Sequence, residues 1–192
     1  MATTTTPGST EPTRRDFLYI ATGTAAAVGA GLVAWPFIDQ MNPSTAVLAL
    51  ASIEADISSV QLGQQVVLKW RGHPLFVRRR TPKEIAEARA VPLSELPDQD
   101  SRNANLPDGS PATDANREFK PEWLVLVGVC THLGCTPTVS TPASPEGEYG
   151  GWLCHCHGSQ YDTAGRIRKG PAPQNLAVPP YSFLSPTRIK VG

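Results

Sequence analysis

An all-β domain carried on one N-terminal transmembrane helix is the fold class this sequence predicts. Three features carry the expectation. An uncharged, largely apolar stretch runs from Phe17 to Ile38. Short β-branched and aromatic runs bounded by turn residues recur through the rest of the chain. Glycine and proline are abundant, 16 and 19 of 192 residues, which favours a loop-rich β domain over a helical bundle. The length suits one compact domain plus an anchor. Basic and acidic residues balance at 17 each, so no global attraction to nucleic acid follows.

Residues 1–13 are rich in Thr, Pro, Ser and Gly and read as a cytoplasmic tail with nothing to bury. Residues 14–38 form the predicted anchor: Arg14-Arg15-Asp16-Phe17-Leu18 opens it, and the apolar run continues to Ile38. At ~1.5 Å per residue, roughly 22 residues reach the ~30 Å of a bilayer core. Trp35 falls where an indole suits the headgroup region, and Arg14 with Arg15 predicts a cytoplasmic N-terminus. The twin arginines followed by Phe-Leu resemble a twin-arginine export signal, which moves folded proteins across a bacterial membrane. Small residues from Ala25 to Ala30 offer an alternative as a cleavage site, but the long apolar run favours retention. Residues 39–51 then read as a linker or hinge, and 52–192 as a domain outside the cytoplasm, where a disulfide can persist.

Within that domain, Val66–Trp70 and Pro74–Arg78 flank Arg71-Gly72-His73 and predict a hairpin, with His73 a loop residue rather than a ligand. Thr81-Pro82-Lys83-Glu84 has the pattern of a capping box and opens a short helix through about Arg89. Arg78-Arg79-Arg80 reads as a solvated strand end, with a docking patch as the alternative. Residues 91–120 are rich in Pro, Asp, Asn and Ser, lack periodicity, and predict a long surface excursion. Trp123–Val129 is a continuous apolar run leading into the first cysteine, and Gly151-Trp152-Leu153 leads into the second pair. Tyr181–Val191 predicts a closing hairpin around Ser185-Pro186-Thr187.

All four cysteines and three of the four histidines fall in two boxes, Cys130-Thr131-His132-Leu133-Gly134-Cys135 and Cys154-His155-Cys156-His157-Gly158-Ser159. Thiolate with imidazole suits iron–sulfur or zinc chemistry. Zinc, as a structural knuckle, is the main alternative from another functional class. Against it, the cysteines and histidines outnumber the four positions of one tetrahedral ion, and Gly134 and Gly158 place the boxes in loops. Spacing alone does not decide between Cys154 and Cys156 as the ligand.

The two boxes resemble the Rieske family, strongly over residues 124–175 and in architecture over the whole chain. The resemblance implies stacked antiparallel sheets with a small cluster-binding subdomain at about 124–175. It implies one 2Fe–2S cluster held by Cys130 and Cys154 on one iron and His132 and His157 on the other, with Cys135 and Cys156 joined as a disulfide. Residue 155 departs from the family's usual Pro; as His155, beside a ligand in an extended loop, it should face away from the cluster. Neutral imidazoles in place of thiolates imply a high reduction potential. Ser159 and Tyr161 match positions whose hydroxyls donate to a bridging sulfide and to the sulfur of Cys130, raising it further. Gly170-Pro171-Ala172-Pro173 resembles the loop covering the cluster's other side.

Oxygenase-type Rieske proteins lack the extra cysteine pair, so Cys135 and Cys156 point away from them. The resemblance is closest to the iron–sulfur subunits of bacterial cytochrome bc complexes, translocases of the respiratory chain. It implies electron transfer from ubiquinol to a membrane-anchored c-type cytochrome beside cytochrome b, in a dimeric complex of the inner membrane, with no full enzymatic cycle alone. His157 is then the quinol's hydrogen-bond and proton acceptor, and Leu133 the quinone-facing tip. The small Rieske subunit of a periplasmic oxidase such as arsenite oxidase is the alternative.

Overall fold

The computed structural model of the chain describes residues 13–49 and 51–192. The expected tail, save Thr13, and residue 50 of the expected linker lie outside the described residues. The chain divides into two units, residues 1–47 and 48–192.

Helix α1 spans Arg14–Asp39. Thr13 starts it: its hydroxyl accepts from the backbone N–H of Asp16, and the Asp16 carboxylate accepts from the backbone N–H of Thr13. This reciprocal cap satisfies donors that a helix start otherwise leaves unpaired. Pro36 forfeits one bond of the ladder without ending the helix. No residue of α1 is buried, and Phe17, Ile20, Leu32, Val33, Trp35 and Phe37 are all exposed. An apolar surface exposed all round a helix suits lipid rather than water, and α1 is long and apolar enough to cross a bilayer. The expected linker contains a short helix, α2 (Thr45–Ala49).

The second unit holds three antiparallel sheets. One orders β1 (Ile53–Asp56), β10 (Arg188–Val191) and β9 (Tyr181–Ser185), the last two forming the expected closing hairpin. Another orders β2 (Gln65–Trp70), β3 (His73–Arg79) and β4 (Trp123–Val127). The hairpin expected around Arg71-Gly72 is tight, because Arg71 and Gly72 both take positive φ, 47° and 82°. An arginine is unusual there; its guanidinium stacks on the Trp70 ring at 4.6 Å, and its Nε donates to the carbonyl of Ala51. His73 pairs with Trp70 at the exposed start of β3.

The last sheet orders β5 (Thr138–Val139), β6 (Gly150–Cys154), β7 (Ser159–Asp162) and β8 (Ile167–Lys169). It falls inside the stretch expected to bind the cluster. The core joins Leu75, Phe76 and Val77 of β3, Trp123–Leu126 of β4, and Trp152 and Tyr161. Phe76 stacks parallel to Trp152 at 6.1 Å. The run expected as strand through Val129 ends at Val127; at the next position, Gly128, the Phe76 ring fills the space a side chain would need, so only glycine fits there. Helix α3 (Pro82–Ala90) carries the expected capping box, with Thr81 and Glu84 bonding each other's backbone N–H.

Two expectations are corrected. Arg78 and Arg80 are neither a docking patch nor a solvated strand end: they are 3% and 0% exposed. Alternation along the extended chain turns both inward and leaves Arg79 half-exposed. Arg78 pairs with Glu84; Arg80 pairs with Asp114 at 2.5 Å and with Glu118, and donates to the carbonyl of Pro121. Residues 91–120 are likewise not a mere surface excursion. Leu96, Asp98, Ser101, Ala112, Asp114 and Arg117 are all buried. The segment packs through side-chain-to-carbonyl bonds and ion pairs, which leave no apolar period to read.

Arg80→Leu should therefore destabilise the domain by about 3–5 kcal/mol, since it leaves the buried carboxylates of Asp114 and Glu118 with only the half-exposed Arg89 as a cationic partner. Arg79→Ala, removing a half-exposed pair, should cost less than about 1 kcal/mol. Thermal unfolding of the two purified variants beside wild type checks the contrast; equal losses would contradict it.

Candidate metal centre

Two loops of matching construction bring the boxes together. The first, between β4 and β5, closes where the Gly134 N–H donates to the Cys130 carbonyl at 2.9 Å. The Cys130 N–H in turn donates to the Cys135 carbonyl at 2.8 Å. The second joins β6 to β7 and closes in the same way, Gly158 N–H to Cys154 carbonyl at 2.9 Å. Gly134 and Gly158 sit at φ 87° and 77°, a left-handed backbone that side chains disfavour. Cys135 and Cys156 are bonded as a disulfide across the loops, Cα atoms 6.7 Å apart.

That bond sorts the donors. Cys154 Sγ lies within 4.8 Å of both disulfide sulfurs, but a disulfide sulfur has no thiolate to offer a metal. Cys130 and Cys154 are the free cysteines; both are buried, and they interact with each other. The rings of His132 and His157 meet edge to face at 4.6 Å. The site thus holds a thiol pair and an imidazole pair. Among the described residues Nδ1 of His132 is buried with no hydrogen-bond partner, which is costly for a polar atom unless something binds it. This donor set fits a binuclear cluster with two thiolates on one iron and two imidazoles on the other.

His157 and Leu133 are exposed, Leu133 at 71%, while His132 is half-buried. His155 is exposed, as a solvated loop residue would be, and its Nε2 is 3.2 Å from the Glu146 carboxylate.

Donors converge on Cys130. The Tyr161 hydroxyl donates to its Sγ at 3.3 Å. Burial raises the thiol's pKa, but the bonds from Tyr161, the His132 backbone, Cys154 and Ser159 outweigh it, leaving Cys130 below the ordinary value. Cys154 moves the opposite way, raised by burial and by its bond with Cys130 against backbone N–H groups of Cys156 and His157. Burial and the bond to Cys130 raise the Tyr161 pKa well above the ordinary phenol value, so it remains a protonated donor at neutral pH.

Gly170, Pro171, Ala172 and Pro173 lie against the second loop. The Ala172 N–H donates to the Ser159 hydroxyl at 3.1 Å, and Ser159 is fully buried. Gly170 (φ 103°) runs so close to Ser159 that a Cβ would meet its Cα at 2.6 Å. Thr131 went unnoticed in the sequence. Its hydroxyl donates to the Gln174 carbonyl at 2.7 Å and accepts from the Gln174 N–H at 3.2 Å, clasping the covering loop to the first box. The only sequence signal was a hydroxyl between two candidate ligands.

The profile of the Rieske [2Fe-2S] domain matches residues 53–181. The profile described as "Ubiquitinol-cytochrome C reductase Fe-S subunit TAT signal" matches residues 4–44, so α1 belongs to a twin-arginine-type membrane anchor. The chain is similar to the ubiquinol-cytochrome c reductase iron-sulfur subunit of Cereibacter sphaeroides, 54% identical, with 94% of this chain and 95% of that one covered. It resembles the same subunit of Rhodospirillum rubrum at 52% identity over 99% and 97% of the two chains. The Rhodobacter capsulatus subunit is also 52% identical, over 94% and 95%. A Rieske domain carries a 2Fe–2S cluster, which decides against the zinc alternative. The chain belongs to the Rieske family, among the iron–sulfur subunits of ubiquinol–cytochrome c reductase.

Proposed function

We propose that Cys130 and Cys154 hold one iron of the cluster and His132 and His157 the other, and that this centre takes electrons from ubiquinol at the exposed His157. The observation that carries the reading is the disulfide-sorted donor set, with His132 Nδ1 buried and unpartnered. When bound, the cluster supplies one-electron chemistry. The chain's residues do the rest. Exposed His157 presents its outer ring nitrogen to the quinol hydroxyl, orients the quinol by a hydrogen bond, and receives the proton that leaves with the electron. Leu133 offers an apolar contact beside it. Tyr161 and Ser159 hold protons toward sulfur, and the Gly170–Pro173 loop excludes water from the opposite side.

The finer setting follows from the same reading. The complex is the cytochrome bc1 complex, and the electron leaves toward its membrane-anchored c-type cytochrome beside cytochrome b, in a dimeric assembly. Residues 1–13 are a cytoplasmic tail, 14–38 the retained inner-membrane anchor, 39–51 a hinge, and 52–192 a periplasmic domain with its cluster subdomain at about 124–175. Arg14 and Arg15 at the start of α1 support that orientation. The small-subunit alternative of a periplasmic oxidase shares the export signal and the disulfide, but the 52–54% identity to ubiquinol–cytochrome c reductase subunits over nearly the whole chain decides against it.

Low-temperature EPR of the reduced, membrane-bound protein should give a Rieske-type signal that shifts on adding a quinone-site inhibitor. Absence of the signal would refute the cluster ligands, and a signal indifferent to the inhibitor would refute quinol contact at His157. Tyr161→Phe should keep the cluster yet lower its midpoint potential. A hydrogen bond to a charged sulfur is worth about 1.5–3 kcal/mol, and only the part that strengthens on reduction contributes. An unchanged midpoint in a redox titration would remove Tyr161 from the tuning.

A further inference from the structure

The Arg117 side chain has no exposed surface. All its hydrogen-bond partners are main-chain carbonyls: Ala164 from Nε at 3.0 Å, Leu176 and Gly165 from Nη2 at 2.6 and 3.3 Å, and Ser101 from Nη1. Among the described residues it forms no salt bridge. The acids around it are engaged elsewhere, Asp162 with Arg166, Asp114 with Arg80 and Arg89, and Asp98 with Arg102. Burial lowers its pKa to about 10, so the guanidinium stays charged at neutral pH. Carbonyl dipoles hold this charge without cancelling it.

The carbonyls it grips belong to two segments that reach the cysteine site. Ala164 and Gly165 form the turn after β7, the strand bearing Ser159 and Tyr161, whose hydroxyl reaches Cys130. Leu176 follows the covering loop, which Thr131 clasps at Gln174 and Ser159 holds at Ala172. The Leu176 N–H also donates to the Gly165 carbonyl at 2.9 Å, so the feet of both segments meet at one guanidinium. A positive charge buried in the same low-dielectric body favours an added electron and is poorly screened by salt.

We propose that Arg117 is a positioning residue whose buried charge, fixed at the feet of β7 and of the covering loop, raises the reduction potential of the cluster. The inference rests on the cluster reading above. Its test is a redox titration, followed by EPR, of the full-length protein in its membrane complex, comparing wild type with Arg117→Gln and Arg117→Lys. The Gln variant should have a lower midpoint, so that at the wild-type midpoint its reduced fraction falls several-fold relative to oxidised. The Lys variant should keep the native midpoint. A Gln variant with a full cluster and a native midpoint overturns the proposal, as does a Lys variant that shifts as far as Gln. Should Gln fail to assemble the cluster, Lys decides: assembly at the native midpoint supports the charge, and failure of Lys too assigns Arg117 a purely structural role. Wild-type membranes without a Rieske signal would instead sink the ligand assignment itself, so the two failures are distinguishable.

Discussion

The bond between Cys135 and Cys156 ties two loops whose own sequences give them little reason to stay together. Each is closed by one local backbone bond and a left-handed glycine, and each exposes its tip. Cross-linking across 21 residues of chain removes freedom from the unfolded ensemble worth about 3 kcal/mol in the chain-entropy account. Its chemical effect is as important. With two sulfurs consumed, two thiols remain, both buried, beside an imidazole pair. Such a bond persists only where the surroundings are oxidising, because a reducing compartment would release both the clamp and two competing ligands.

Beneath the loops lies a polar scaffold. Buried arginines at 80, 117 and 166 connect β3, α3, residues 91–120 and the turn after β7. Arg166, for example, pairs with Asp162 and donates to the carbonyls of Ala112 and Ala88. Apolar contacts fill volume but specify orientation weakly. A guanidinium whose donors each meet a particular carbonyl admits one arrangement, and leaving any partner unpaired in the interior is costly. The segment 98–117 serves this purpose: Asp98 accepts from the Asn175 N–H, and Asn175 accepts from the Ile167 N–H, so the strand and loop flanking the site share one bonded frame.

The electrostatics at the site follow from that frame. Cys130 collects donors from Tyr161, Ser159 and the His132 backbone, whereas Cys154 relies on the Cys156 and His157 backbone, so the two thiols shift in opposite directions though both are buried. Side-chain donors from β7 distinguish them. The imidazoles differ as well: His132 is half-buried, whereas His157 is exposed.

Much of the fold was legible locally, because its signals act over a few residues. The capping box at Thr81, the hairpin at Arg71-Gly72, the closing hairpin from Tyr181 and the apolar anchor each rest on neighbouring side chains and turn chemistry. The donor boxes were legible too, since metal ligation demands rare residue types at short spacing. Spacing left open whether Cys154 or Cys156 was the free thiol, and only the family resemblance supplied the pairing; the loops' meeting in space shows it. Arg78 and Arg80 looked solvated because a charge reads as exposed until its partner is known, and Arg80 finds Asp114 and Glu118 more than thirty residues away. Arg117 meets Leu176 across 59 residues. The chain alone thus determined the element types and the donor chemistry, whose causes are local. Tertiary structure decided which charges are buried and which sulfurs are free, because burial and pairing are set by residues distant in sequence.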